Sequence, residues 1–120
     1  YIYIIIIFIL NKRFNCFFSG EAKLESKCFV LSSIREFSRK GLKLAINNYK
    51  SKPGQKIEIR VNIPWRKTPA LIMGQVCWNN SKGIGKDIGV KINKINNSVK
   101  SEILDYCYNS WREMHVRASN

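Results

Sequence analysis

Ile34 Arg35 Glu36 Phe37 Ser38 Arg39 Lys40 Gly41 Leu42 is a short basic segment set between two apolar, alternating stretches. Upstream, Cys28, Val30 and Ser32 alternate with Phe29 and Leu31; downstream, Leu42, Leu44 and Ile46 recur at every second position against Lys43 and Ala45. A period of two on both sides of turn-forming residues predicts strand, turn, strand. Ser38 suits the turn because its hydroxyl can bond backbone groups two or three residues on. Gly41 can supply a positive φ or let a ligand approach the backbone closely. Arg35, Arg39 and Lys40 add positive charge, so the segment reads as a place where something anionic is held. The competing reading is an ordinary hairpin connection with solvated charges.

Working outward, most of the chain has the same period. Phe14, Cys16 and Phe18 alternate with Asn15 and Phe17; Ser19 and Gly20 interrupt, and Ala22 with Leu24 resumes. Pro53 and Gly54 mark a turn after the polar loop from Asn47 to Lys52. Ile57, Ile59, Val61 and Ile63 then alternate with Glu58, Arg60 and Asn62, the clearest half-buried strand, and Pro64 ends it because proline cannot donate to the ladder. Leu71 to Trp78 forms a further strand, and Ile88, Val90 and Ile92 form the last. The three glycines between Gly83 and Gly89 miss the spacing of a dinucleotide fingerprint, and no helix follows them. From Ser98 the period changes: Val99, Ile103, Cys107, Trp111 and Met114 recur at helical spacing, with Asn97 or Ser98 as N-cap. Their stripe reads as a packing face, and His115 just beyond it as a surface histidine. Short strands followed by one amphipathic helix imply an antiparallel β-barrel or sandwich with a helix laid against it.

Composition sets the class of partner. At 120 residues the chain is most simply one domain, and 45% hydrophobic with 24% charged residues fits a globular core. Lys and Arg number 21 against 8 Asp and Glu, a net charge of +13, which favours polyanions: nucleotide, nucleic acid or an anionic membrane face. Cys16, Cys28, Cys77 and Cys107 are widely spaced and His115 is the only histidine, so a metal site is not expected. The cysteines read as reduced and partly buried in a cytoplasmic protein. That histidine has no serine or cysteine partner by spacing, and the acidic residues form no paired-carboxylate motif, so a binding module rather than an enzyme is expected, without cofactor.

Residues 1–12 form an apolar N-terminal segment ahead of a domain at 13–115 and a tail at 116–120. The run from Ile2 to Leu10 is shorter than the roughly 20 apolar residues a spanning helix needs. It reads either as the end of such a helix, with Asn11, Lys12 and Arg13 as its cytoplasmic flank, or as an isoleucine-rich extra strand or artefact. The first of these would tether the domain to a membrane.

From Arg13 to about Arg112 the chain resembles a PilZ domain, the bacterial receptor module for cyclic di-GMP. Glu36 Phe37 Ser38 Arg39 Lys40 Gly41 resembles the family's motif of Asp or Asn, x, Ser, x, x, Gly, and Leu42 Lys43 Leu44 is similar to the apolar strand that follows it. Pro53 Gly54 before a long strand, Gly74 Gln75 Val76 Cys77 Trp78, Asp87 Ile88 Gly89 Val90 Lys91 Ile92 and the terminal helix fit as well. The resemblance implies a six-stranded split β-barrel with a C-terminal helix. It also implies a cyclic di-GMP site from Lys12, Arg13, Arg35, Glu36, Ser38, Arg39, Lys40 and Gly41, and an output through an unidentified protein partner.

Two positions depart from the family pattern. Its Arg, x, x, x, Arg pair meets Arg13 with either Ile9 or Phe17 in the other place, and Glu36 replaces Asp or Asn. Lysine cannot offer arginine's planar fork, and glutamate caps such turns less well. A PilZ-like adaptor that does not bind the nucleotide is therefore the second reading. The third is a basic nucleic-acid-binding barrel using Trp65, Arg66 and Lys67; Trp65 following Pro64 equally suits a cap on the barrel core.

Overall fold

The computed structural model describes residues 12–25, 28–47, 50–80 and 86–118. The apolar run from Ile2 to Leu10, and with it the membrane reading, lies outside them, as do residues 81–85 and the end of the tail; of the glycine-rich stretch from Gly83 to Gly89, residues 86–89 already belong to the last strand. Among the described residues no helix is long and apolar enough to cross a membrane.

Among the described residues six strands and one helix follow in order: β1 Phe14–Leu24, β2 Val30–Phe37, β3 Gly41–Ile46, β4 Lys56–Val61, β5 Ala70–Asn80, β6 Lys86–Ile95 and α1 Asn97–Ala118. All neighbours pair antiparallel, and the order β1-β2-β3-β6-β5-β4 closes on itself when β4 pairs with β1. Of the two architectures open from periodicity, the barrel is the one formed, and closure leaves no sheet edge to protect. Alternation does the rest. Leu42, Leu44 and Ile46 of β3 and Ile57, Ile59 and Val61 of β4 point inward and are buried. Fully burying such a side chain stabilises the fold by about 1.5–3 kcal/mol.

Three local expectations are corrected. Gly20 does not interrupt β1: it pairs with Ser32 of β2 and Val61 of β4, and a Cβ there would stand 2.1 Å from the Arg60 carbonyl oxygen. Glycine lets the two backbones approach within one continuous strand. Second, the basic connection is shorter than the sequence implies, because β2 continues through Arg35, Glu36 and Phe37. Its register against β3 slips between Ile34 and Glu36, leaving Arg35 as the extra residue of a bulge, so that Ile34 and Phe37 both face inward. Third, the N-cap is Asn96, whose Oδ1 accepts from the backbone N–H of Ser98 at 2.9 Å and of Val99 at 3.3 Å.

Helix α1 packs Val99, Ile103 and Cys107 into the core. Phe14 meets the rings of Tyr108 and Trp111 edge-on, each at 6.4 Å, which fixes the start of β1 against the helix. The packing stripe ends there, since Met114 is 70% exposed. Trp65 caps the barrel: its ring packs on Phe18 at 6.3 Å and Tyr106 at 5.1 Å, and its Nε1 donates to Glu102 at 2.7 Å. Arg66 clasps both oxygens of the same carboxylate.

Candidate functional site

Residues 38–41 fold into a self-closed turn. The Ser38 N–H donates to the Gly41 carbonyl at 2.8 Å, the Ser38 hydroxyl to the same oxygen at 2.9 Å, and the Gly41 N–H to the Ser38 hydroxyl at 3.1 Å. Gly41 does not take a positive φ; among the described residues that conformation belongs to Gly54, at 95°. Its smallness serves packing instead, because a Cβ would stand 2.8 Å from the Val90 carbonyl oxygen of β6. The turn is pinned to β6 again where the Ile92 N–H donates to the Lys40 carbonyl at 2.8 Å. A rigid turn is thereby held beside the start of β1.

That placement brings Arg13 to Ser38, Lys40 and Gly41 around one open hollow of about 210 Å³, whose far wall is Trp78 of β5 and Lys91 of β6. Among the described residues no acidic side chain lines it. A smaller adjoining hollow joins Arg13 to Glu36 and Lys43, where the Glu36 carboxylate is met by the Lys43 ammonium at 3.5 Å. Lys43, directly opposite Glu36 in the β2–β3 ladder, thus partners the carboxylate that shares this hollow with Arg13.

The other expected site residues lie elsewhere. Arg35, on the bulge, stacks over the Phe17 ring at 5.3 Å and borders a different surface hollow. Phe17 itself, the position a second arginine would fill, is 63% exposed. Arg39 is not among the residues lining the hollow of Arg13 and Trp78, and burial and then the Arg39 charge hold the Lys100 ammonium of α1 below its ordinary pKa. Lys12 sits over Trp111 of α1 at 5.5 Å. Arg13 is therefore flanked by two residues, Lys12 and Phe14, that both touch Trp111.

Trp78 and Lys91 are the site residues that the sequence reading passed over. Cys77 is an extra residue in β5 between Val76 and Trp78, and this bulge leaves Trp78 opposite Gly89 of β6. A Cβ on Gly89 would lie 2.1 Å from Trp78 Nε1, so the indole rests directly on the glycine. With 39% of its surface open, the ring offers a flat π-face beside three cations. Anion donors next to an aromatic platform suit a nucleotide, which has a phosphate for one and a base for the other. The signal was present as Trp78 and Gly89, but reading it needs the strand register.

A family model described as PilZ domain matches residues 11–109. The chain belongs to the PilZ domain family. No curated protein matches it by sequence. Among solved structures, this PilZ domain is similar to the PilZ domain of YcgR from Escherichia coli, solved with c-di-GMP, at TM-score 0.65 and 13% identity over 91% of this chain and 95% of that one. It is similar also to the inhibitor of motility MotI/DgrA of Bacillus subtilis, at TM-score 0.65 and 15% identity over 84% of this chain. The match spans 50% of the Bacillus chain. Both likenesses are of fold: the closed six-stranded barrel with its C-terminal helix is the PilZ architecture.

Proposed function

We propose that this PilZ domain is a receptor for cyclic di-GMP, not an enzyme, and needs no cofactor. Arg13, Lys40 and Lys91 would receive phosphate and guanine edges, and Trp78 would stack a guanine. The observation that carries the reading is the convergence of Arg13, the Ser38–Gly41 turn and the open Trp78 face on one hollow without a carboxylate. Family membership supports it, and so does the presence of c-di-GMP in the YcgR domain of like fold. Output would follow from the arm: drawing Arg13 onto the ligand pulls on Lys12 and Phe14, which both touch Trp111, and so alters the surface of α1 for a protein partner.

Calorimetric titration with cyclic di-GMP tests this. Saturable binding is expected, and Arg13→Ala should weaken it by about 1.5–3 kcal/mol, the scale of a charged hydrogen bond, or roughly one to two decades in affinity. No heat at high micromolar ligand would overturn the proposal.

One observation favours the second reading, an adaptor that ignores the nucleotide: neither Arg35 nor Arg39 lines the hollow, and Glu36 is paired with Lys43. It predicts a partner that co-purifies equally with and without the dinucleotide. The nucleic-acid reading loses part of its platform, since Trp65 and Arg66 are both engaged by Glu102.

A further inference from the structure

The β1–α1 seam contains a chemistry that nucleotide recognition does not use. Phe14 meets Tyr108 and Trp111, while Phe18, further along the same inward face of β1, meets Tyr106 at 5.8 Å. Cys16 lies between those two phenylalanines on β1, and Cys107 lies between the two tyrosines on α1. The ring contacts on either side therefore bring the two cysteines face to face. Both thiols are free, Cys107 within the buried core and Cys16 packed against it, and their exposures differ: Cys107 is 2% exposed, whereas Cys16 is half-buried. Cys28 and Cys77 are exposed and belong to other parts of the barrel.

We propose that Cys16 and Cys107 are a modification site, a dithiol that a peroxide converts to a disulfide joining β1 to α1. In the first step one thiol, as its thiolate, attacks a peroxide oxygen; the O–O bond breaks, the sulfur becomes a sulfenic acid and hydroxide leaves. In the second the other thiol attacks that sulfur, the S–S bond forms and the sulfenic oxygen departs as water. Hydroxide takes up the proton lost by the first thiol. Overall two thiols and one hydrogen peroxide give one disulfide and two waters. Because the two cysteines face each other across the seam, whichever sulfur is oxidised first has its resolving partner beside it. The link would tie α1 to the strand that carries Arg13, in a ring of chain long enough to constrain the unfolded state strongly.

The test uses the full chain with Cys28→Ser and Cys77→Ser, which removes the exposed thiols. After hydrogen peroxide, intact mass should fall by two hydrogens, digestion should yield one peptide pair linked through Cys16 and Cys107, and dithiothreitol should reverse both. The oxidised form should show a higher thermal midpoint and slower amide exchange along α1. Adding Cys16→Ser, or Cys16→Ala if serine disturbs the seam, should abolish the mass loss while the fold persists. A gain of oxygen without loss of hydrogens, an unchanged mass, or the same product in the Cys16 variants would overturn the proposal. None of these readouts depends on a nucleotide.

Discussion

Two tryptophans of this barrel share their surroundings with an arginine, and a single carboxylate separates their roles. At Trp65, Glu102 accepts from the indole N–H and fills the fork of Arg66, and the ring is packed between Phe18 and Tyr106. The indole N–H and the Arg66 fork are both taken up by that carboxylate, as a clasp of the loop onto α1, although the ring itself is 41% exposed. At Trp78 the ring rests on a glycine, its outer face is open, and the cations beside it, Arg13, Lys40 and Lys91, line a hollow without an acid. The same pair of residue types is structure in one place and a binding surface in the other. What decides is whether an acid stands within reach of the arginine's donors.

Four substitutions would break or sharpen that contrast. The largest effect belongs to Phe18→Ala, which empties the core beneath the Trp65 clasp; a loss of about 3–5 kcal/mol in urea unfolding is expected. Trp78→Ala should leave the unfolding midpoint nearly unchanged but cost about 1–3 kcal/mol in cyclic di-GMP affinity, the range for one stacked base. Equal affinity with and without the indole would remove Trp78 from the site.

Glu102→Gln reaches a smaller term, since exposed ion pairs contribute little. The hydrogen bonds from Arg66, and then Trp65, hold the Glu102 carboxyl below the usual carboxylate range. Its stabilisation is therefore present above the ordinary carboxylate pKa and lost as pH falls through the lowered value. The variant should melt slightly lower than the parent at neutral pH, and the two melting curves should converge in acid; a gap that persists there would mean that the carboxylate's charge is not the cause. Smallest is Lys100→Met. The Lys100 pKa is lowered by burial and then by Arg39, so its charge opposes folding at neutral pH and this penalty fades as pH rises toward the ordinary lysine range. A slight rise in thermal midpoint at neutral pH, absent at strongly basic pH, is the expected outcome.

Much of the barrel was legible because alternation is a local signal. Ile57, Ile59 and Val61 announce their buried face by spacing alone, and Val99, Ile103 and Cys107 do the same for α1. The bulge at Arg35 was not legible: it depends on how β2 meets β3, and without it Arg35 reads as part of the turn. Gly20 was read as a break in the strand and Gly41 through the freedom of glycine's own backbone, whereas both are glycine because a neighbouring strand's carbonyl occupies the space of a Cβ. Met114 fitted the helical stripe, yet the barrel ends before the helix does.

By itself, the sequence determined that strands dominate, that one helix closes the chain, that the chain resembles a PilZ domain, and that its charge favours an anion, since period and composition are carried by neighbouring residues. Only the tertiary structure decided which of the basic residues share a hollow. Arg13, Lys40 and Lys91 come from three separate segments, and Trp78 reaches them because a bulge and a facing glycine aim it there. Side-chain direction in a closed barrel is set by register between strands, and register is a property of pairs that no single strand contains.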